Sequence, residues 1–332
     1  MNTWPELVTR LLANEDLTAE SAAWAMERVI AGEARPAQLA AFLVALRAKG
    51  EAAAEIDGFV TALLHAATPV SVAGDTLDIA GTGGDGTNAV NISTMAAVVA
   101  AATGVTVVKH GGRAASATSA GSADLVEALG VPLDLPPERS AGIGITFLFA
   151  PRVHPGMRYA APVRRELGVP TVFNLLGPLI NPARPAYRLV GVADARMLPV
   201  IVEVLRRRGS NALVVRGDDG LDKLSTSTTS QVWTVRDGVA THTVLDPRDL
   251  GLARPAPGAL RGGDAAANAR VMHELLAGQR GPVRDAVLLN AAAALTTTGT
   301  ALPEALARCA EAVDSGAAAA TLKRWVELAA VG

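Results

Sequence analysis

Apolar residues over roughly the first 70 positions recur at spacings of three and four, which is typical of amphipathic helices. Residues that start and end helices fall where this pattern needs them. Thr18 can cap a helix start and Gly32 can close that helix, while Pro36 suits a first helical turn and Gly50 ends the run Leu39–Lys49. The pattern therefore predicts a small N-terminal helical domain.

The pattern changes from Thr76, where short apolar runs alternate with alanine-rich stretches. Several of these runs have the length and composition of buried strands, and the stretches between them fit helices. The predicted strands are Leu77–Ala80, Val105–Val108, Ile145–Ala150, Tyr187–Val192 and Ala212–Arg216, with helices from Ser93 onward and over Met197–Arg207. Such alternation predicts parallel strand-helix-strand units in a doubly wound sheet.

Two further runs, Val232–Val235 and Thr241–Leu245, are joined across Arg236–Gly238 and predict an antiparallel hairpin added to this sheet. The C-terminal part returns to helices rich in alanine and leucine, with Gly299 and Gly316 as stops. The expected fold class is α/β: a small N-terminal helical domain plus a large, doubly wound, mostly parallel sheet domain flanked by helices.

Composition narrows the possible functions. Half of the 332 residues are hydrophobic, which is ample for a buried core, and 30 basic residues face 32 acidic ones. This balance, with only 3% aromatic residues, argues against a nucleic-acid or anionic-membrane surface. The single cysteine, Cys309, excludes an internal disulfide framework, and no segment has the pattern of a signal peptide or a membrane span. A cytoplasmic protein with local anion sites is expected.

A glycine-rich turn is the sharpest local signal. Gly81–Gly86 directly follows the strand Leu77–Ala80 and shortly precedes a helix that opens with Asn91–Thr94. Glycines let backbone N–H groups approach a phosphate, and a helix start adds partial positive charge. The spacing is neither the dinucleotide fingerprint nor the nucleoside-triphosphate loop. The turn therefore predicts a different phosphate ligand, although this segment alone also fits a plain turn.

A second signal follows the next predicted strand. Lys109–Arg113 is succeeded by a loop of small and hydroxyl residues that contains Ser116, Thr118, Ser119 and Ser122. The carboxyl ends of parallel strands are where such sheets bind ligands, so two glycine-rich loops would face one crevice. Surface cations without a ligand are the alternative interpretation of Lys109 and Arg113.

A third signal consists of three strings that contain His154–Met157, Val163–Gly168 and Phe173–Pro182. Together with the glycine turn and the Lys109 loop, these strings resemble anthranilate phosphoribosyltransferases in order and spacing over nearly the whole chain. The resemblance implies a homodimer that uses 5-phosphoribosyl diphosphate (PRPP) and Mg²⁺ to make N-(5-phosphoribosyl)anthranilate in tryptophan biosynthesis. It also divides the chain into a helical domain of residues 1–72, joined by about 158–185, and a PRPP-binding domain of 73–157 and 186–332.

The resemblance also assigns site residues, position by position. It implies that PRPP is bound by Gly81, Gly84, Asp85, Asn91, Ser93, Thr94, Lys109, Gly111, Arg113, Ser116 and Ser122. It implies that the aromatic amine is bound by Gly81, His110, Gly112, His154 and Arg164, and that the metal is bound by Ser93 and Asp222. Lys109 and Arg164 would orient the substrates and stabilise charge, because a compact ammonium suits phosphate and a planar guanidinium suits a carboxylate.

This chain departs from the family pattern at four positions in or beside the predicted site. Lys223 stands where the family has a second metal-binding carboxylate, and a lysine repels a cation instead of holding it. Gly112 replaces an asparagine on the acceptor side, and Ala89 and Ala117 replace hydroxyls on the phosphate side. The sequence therefore leaves open a paralogue with another aromatic acceptor, or a non-catalytic ligand-binding protein.

Two alternatives on a related fold are less favoured. A nucleoside phosphorylase shares the glycine and lysine segments, but the Arg164–Arg165 pair and the run Asn174–Pro182 argue against it. A nucleic-acid-binding relative disagrees with the balanced charge and the scarcity of aromatic residues.

Overall fold

The computed structural model describes residues 2–114 and 120–330. The helices are α1 (Trp4–Leu12), α2 (Ala19–Ile30), α3 (Pro36–Lys49), α4 (Ala53–His65), α5 (Ile92–Ala102), α6 (Ser122–Ala128), α7 (Pro137–Ser140), α8 (Ala150–Val153), α9 (Ala161–Leu167), α10 (Phe173–Leu176), α11 (Leu198–Arg207), α12 (Ala265–Leu276), α13 (Pro282–Thr296), α14 (Leu302–Asp314) and α15 (Ala317–Ala330). The strands are β1 (Leu77–Gly81), β2 (Val107–Gly111), β3 (Ile145–Phe149), β4 (Tyr187–Gly191), β5 (Asn211–Gly217), β6 (Ser230–Arg236) and β7 (Val239–Leu245).

The predicted helix boundaries of the N-terminal domain are confirmed. The Thr18 hydroxyl accepts a hydrogen bond from Ser21 N–H at the start of α2, and Pro36 is the first residue of α3. Gly32 and Gly50 follow the ends of these helices with φ of 76° and 93°, values that side chains disfavour.

Within the described residues, the strands form one sheet in the order β3-β2-β1-β4-β5-β6-β7. The pairs from β3 to β5 are parallel, and the predicted hairpin of β6 and β7 adds two antiparallel strands to the β5 edge. The chain runs outward from β1 through β2 to β3 and then returns to the other side of β1 at β4. Such a reversal places a crevice beyond the carboxyl ends of β1 and β4.

Each face of the sheet carries its own core, because alternate side chains of a strand point to opposite faces. Leu189 and Leu213 pack with α5, α6 and α12–α15, whereas Val190 and Val214 pack with α11 and the N-terminal helices. The second core also takes in residues of α9 and α10, so this late segment packs with α1–α4. The expected α/β class with a helical domain and a mixed, mainly parallel sheet is thus confirmed, while the domain bounds at 72, 158 and 185 remain predictions.

One strand was placed wrongly by the sequence pattern. The prediction Val105–Val108 put Lys109 and His110 after the strand, but β2 runs from Val107 to Gly111 and contains both of them. Each residue from Val107 to Gly111 pairs with β3, and both polar side chains are buried. A charged residue is tolerated inside a buried strand when its polar atoms find partners, as Lys109 Nζ does with the Ile79 carbonyl and the Ser93 hydroxyl.

Among the described residues, no helix is both long enough and apolar enough to cross a membrane.

Candidate active site

The glycine turn after β1 is open on the side of the crevice. Gly83, Gly84 and Gly86 have φ between 69° and 76°, and a methyl group added to any of them would meet no atom of the described residues within 4 Å. Their backbone is therefore accessible to a ligand, as expected for an anion cradle. This geometry agrees with the predicted role of Gly84 in binding a phosphate.

Asp222, in the loop after β5, borders the crevice at the ends of β1 and β4. Its Oδ2 accepts a hydrogen bond of 2.7 Å from Gly83 N–H. A Cβ at Gly81 would lie 2.2 Å from that oxygen, and a Cβ at Gly191 would lie 1.6 Å from the Asp222 carbonyl. Only glycine therefore fits at the ends of β1 and β4, because the loop after β5 packs directly onto both strands.

Asp85 shapes the turn from within. Its Oδ1 accepts hydrogen bonds of 2.9 Å from both the N–H and the hydroxyl of Thr87, and its Oδ2 accepts from Asp222 N–H at 3.4 Å. Burial raises the pKa of this carboxyl, but the Lys223 charge and these hydrogen bonds outweigh burial and lower it. Asp85 is therefore ionised at neutral pH and pairs with Lys223.

The start of α5 points toward the same crevice, where its helix dipole favours an anion. Asn91 is held by protein partners: its Nδ2 donates to the Ala120 carbonyl at 2.7 Å, and its Oδ1 accepts from Asn268 at 2.8 Å. The Thr94 hydroxyl is buried and has no hydrogen-bond partner in the described part of the chain. Asn91 thus positions the helix start, and Thr94 retains an unused donor.

Lys109 brings a buried charge to this place. Its side chain is 2% exposed, and its Nζ donates to the Ile79 carbonyl and to the Ser93 hydroxyl, the latter at 3.3 Å. Burial lowers the pKa of Lys109 to about 8, although the nearby Asp78 carboxylate opposes this shift. The ammonium is therefore held beneath the glycine turn, next to the first turn of α5.

The sequence analysis did not predict the buried polar network around Asp78, close to Lys109. Asp78 accepts hydrogen bonds from Asn181 Nδ2 at 2.9 Å and from His110 N–H at 3.3 Å. Asn181 also donates to the Val108 carbonyl, and Arg188 adds a second cation near Asp78. Burial raises the pKa of Asp78, and these partners oppose that shift. The available signal was an aspartate inside the otherwise apolar strand Leu77–Ala80.

His110 and His154, both predicted to bind the acceptor, lie next to each other. Their rings meet edge to face, with centroids 5.3 Å apart. His110 Nδ1 lies 3.0 Å from the Gly177 carbonyl, and His154 Nε2 lies 2.8 Å from the Ile180 carbonyl. A carbonyl only accepts, so each of these nitrogens carries the proton. Burial, the main cause, lowers the pKa of both residues to about 4, so both rings are neutral at pH 7.

The histidine pair makes the folded state sensitive to acid. An unfolded histidine titrates near 6.5, so below this pH the unfolded chain binds more protons than the folded one, and stability falls until about pH 4. We expect the free energy of unfolding in urea to drop by about 2 kcal/mol per histidine from about pH 7 to about pH 5. His110→Asn should lose about half of this dependence. Equal unfolding free energies at the two pH values would contradict it.

Arg164 on α9 carries a partly buried charge without a protein counter-ion. Within residues 2–114 and 120–330, its guanidinium makes no hydrogen bond or ion pair, and it lies 5.1 Å from the centroid of the Phe173 ring. Burial lowers the pKa of Arg164 from its ordinary value. A desolvated guanidinium over an aromatic ring is suited to a planar carboxylate ligand.

Other predicted residues stand apart from this crevice or line its edge. Arg113 is held on α6 by Asp124 and Glu127 at 2.8 Å and 2.9 Å, so its charge is already paired. Ser122 packs against Gly111 and donates to the Gly112 carbonyl at 3.3 Å. The roles of these residues remain predictions. Ser116, and likewise Ala117, lie outside the described residues.

A protein-held metal cluster is not assembled in the described part of the chain: no three His, Cys, Asp or Glu side chains there are grouped to hold an ion. The predicted ligand Asp222 instead pairs through Oδ1 with the Lys223 ammonium. Lys223 also lies 3.8 Å from Asp85 Oδ2. The carboxylates Asp85 and Asp222 therefore share one lysine as a partner.

Comparison with known proteins agrees with this geometry. Residues 73–319 match the model of the glycosyl transferase family α/β domain, and residues 5–67 match that of the glycosyl transferase family helical bundle domain. The anthranilate phosphoribosyltransferase of Acidothermus cellulolyticus is 56% identical over 98% of this chain and 95% of its own. That of Nocardioides sp. is also 56% identical, over 98% of both chains.

Solved structures give the same answer. The anthranilate phosphoribosyltransferase of Thermus thermophilus superposes with a TM-score of 0.91 and 44% identity, covering 98% of this chain and 99% of that one. The Saccharomyces cerevisiae enzyme in complex with PRPP and Mg has a TM-score of 0.90 and 27% identity, covering 99% and 98%. With both family models matched and relatives more than half identical along 98% of its length, the chain belongs to the anthranilate phosphoribosyltransferase family.

Proposed function

We propose that this protein transfers the phosphoribosyl group of PRPP to the amine of anthranilate, giving N-(5-phosphoribosyl)anthranilate and diphosphate in tryptophan biosynthesis. The observation that carries the proposal is a pair of desolvated cations with different shapes. Lys109 lies beneath an open glycine turn, and Arg164 lies over the Phe173 ring with no carboxylate partner in the described part of the chain. The first suits a diphosphate, and the second suits the carboxylate of an aromatic acid.

The reaction is a displacement at the anomeric carbon of the sugar. The bond from that carbon to the diphosphate oxygen breaks, the amine nitrogen forms the new bond, and the amine loses a proton. Negative charge develops on the departing diphosphate, where the Lys109 ammonium, the N-terminus of α5 and the N–H groups of the glycine turn stabilise it. The acceptor is a neutral amine that needs mainly to be oriented, so an activated protein nucleophile is not required.

Magnesium is proposed to enter together with the diphosphate, as Mg is bound with PRPP in the yeast relative. The Ser93 hydroxyl, beside Lys109 Nζ, is an oxygen ligand that fits one such ion. Asp222 fits less well, because its two oxygens already engage Lys223 and Gly83 N–H. When bound, the ion would neutralise charge on the leaving group.

Two further proposals concern the setting of the enzyme. A homodimer is supported by exposed apolar side chains on the helical part, where Leu12, Val44 and Val169 are 74%, 48% and 52% exposed. Sedimentation of the purified protein would give its mass in solution. A cytoplasmic location is supported by the single cysteine of the sequence, Cys309, which is free and buried.

The proposed reaction is tested by following anthranilate fluorescence in a mixture of purified protein, PRPP and MgCl₂. We expect the fluorescence to fall only when all components are present, because anthranilate is consumed by the transfer. A folded protein that binds PRPP but leaves anthranilate unchanged would contradict the proposal.

A second acceptor is favoured by one observation. Among residues 2–114 and 120–330, a Cβ on Gly112 would meet one atom within 4 Å, the Ala150 Cβ at 3.9 Å, so these residues leave room beside this position. If anthranilate is not consumed, a panel of other aromatic amines and heterocycles with PRPP would identify that acceptor. Inorganic phosphate with a nucleoside, added to the same panel, distinguishes the phosphorylase reaction.

A further inference from the structure

Lys223 is fixed in place by the loop between β5 and β6. The Leu221 carbonyl accepts from Gly217 N–H at 2.9 Å on one side of it. On the other side, Leu224 N–H donates to Asn290 Oδ1 at 3.0 Å, and Asn290 Nδ2 returns a bond of 2.9 Å to the Leu224 carbonyl. Hydrogen bonds on both sides therefore hold the backbone of Lys223 in one position.

The Lys223 ammonium lies beside the carboxylate oxygens that a divalent ion would need as ligands. It contacts Asp222 Oδ1 and lies 3.8 Å from Asp85 Oδ2. Both carboxylates lie on the side of the crevice that the ammonium faces, so the lysine is held by opposite charges. A divalent ion bound to these carboxylate oxygens would lie close to the Lys223 ammonium, and the two positive charges would repel each other.

The same ammonium borders the open glycine turn. Asp222, its partner, accepts from Gly83 N–H, and the space above Gly83 and Gly84 is free of protein atoms within 4 Å of an added Cβ. Burial lowers the pKa of Lys109, and the charge of Lys223 lowers it further, as expected of two ammonium groups that share one crevice. The Lys223 side chain is 16% exposed, so a ligand can reach it.

We propose that Lys223 replaces a divalent cation in the diphosphate site: its ammonium binds the diphosphate of PRPP directly, and binding does not require a metal ion held by Asp222. This inference rests on the proposed binding of PRPP in this crevice. Asp85 and Asp222 then serve to position the lysine until the anion arrives. The donor set of the crevice contains two fixed cations, Lys109 and Lys223, and fits one ion carried in by the substrate through Ser93.

The test is calorimetric titration of the full-length protein with PRPP, at constant ionic strength, in EDTA and in MgCl₂. We expect the wild-type Kd in EDTA to be within about tenfold of that in MgCl₂, because a charged lysine remains beside the anion. Lys223→Glu should bind at least about 100-fold more weakly in EDTA than in MgCl₂, since three carboxylates then face the diphosphate. Lys223→Met, which removes the charge without adding another, should lose at least about tenfold of the affinity in EDTA.

A second readout needs no PRPP. MgCl₂ should raise the Tm of Lys223→Glu, which regains a metal-binding carboxylate, and leave the wild-type Tm unchanged. Lys323→Met, at a lysine 76% exposed on α15, is the matched control and should bind PRPP like the wild type. Wild-type protein that binds PRPP in MgCl₂ but loses this binding in EDTA as completely as Lys223→Glu would overturn the inference. Absence of PRPP binding in both buffers would instead overturn the proposed function.

Discussion

We expect replacement of Lys109 by methionine to lower kcat/KM for PRPP by about 1,000-fold, because the proposed site then loses a buried ammonium beside the departing diphosphate. The side chain is 2% exposed and bonds to the Ile79 carbonyl and the Ser93 hydroxyl, so another residue cannot readily supply the charge. The measurement is initial rates of anthranilate consumption at varied PRPP.

A loss of folding could mimic this result, because Lys109→Met leaves Asp78 with one cation fewer. Breaking a buried pair in this way costs about 3–5 kcal/mol. The double variant Asp78→Asn, Lys109→Met removes both charges and should regain most of the lost stability in urea unfolding. It should not regain activity if the ammonium acts on the diphosphate. Recovery of kcat/KM in the double variant would show that Lys109 serves only the fold.

We expect replacement of Arg164 by alanine to raise KM for anthranilate by about 100-fold or more and to leave the affinity for PRPP within about twofold, because the proposed partner of the guanidinium is the acceptor and not the diphosphate. The charge is partly buried over Phe173 and has no counter-ion among the described residues. Its replacement therefore removes a partner of the substrate without freeing a protein carboxylate. The measurement is KM for each substrate by fluorescence.

Arg165 provides the matched control, since it is the adjacent arginine on α9 and is exposed. Arg165→Ala should leave both KM values within about twofold of the wild type, as is usual for surface substitutions. A further check uses an aniline that lacks the carboxylate: the wild type should prefer anthranilate strongly, and Arg164→Ala should show little preference. Equal effects of the two arginine substitutions would contradict the assignment of Arg164 to the acceptor carboxylate.

The glycine turn, the order of strands and helices, and the hairpin could be predicted because each depends on local signals. Gly83 and Gly84 adopt positive φ where the turn needs it, and Thr18 caps α2 through its own hydroxyl. The hairpin of β6 and β7 turns at Asp237 and Gly238, both with positive φ, as the sequence Arg236–Gly238 suggested. Local chemistry of this kind does not depend on distant parts of the chain.

The features that escaped prediction depend on contacts far along the chain. Lys109 and His110 lie inside β2, and Lys109 Nζ and His110 Nδ1 find their partners at Ile79 and Gly177, 30 and 67 residues away. The pairing of Asp78 with Asn181 spans 103 residues and gives no periodic signal. Hydrophobic patterning excludes charges from buried strands and therefore ended β2 too early.

Arg113 and Lys223 show that the partners of charged side chains are equally hard to predict from the sequence. Position in the sequence marked both as cations near an anion site, but it could not tell which one has other partners. Arg113 is paired with two carboxylates of α6 at the surface, whereas Lys223 is paired within the crevice. The partner of a long side chain is decided by the packing of its neighbours, which only the three-dimensional structure provides.

Lys109 and His110 are consecutive residues of β2, and their side chains leave the strand in opposite directions. One reaches the start of α5, and the other reaches the Gly177 carbonyl. A single peptide bond thus fixes the separation between the donor half and the acceptor half of the reaction. An engineer who wishes to change the acceptor should leave this dipeptide intact and redesign residues that approach from α9, since any shift of β2 would misplace both substrates at once.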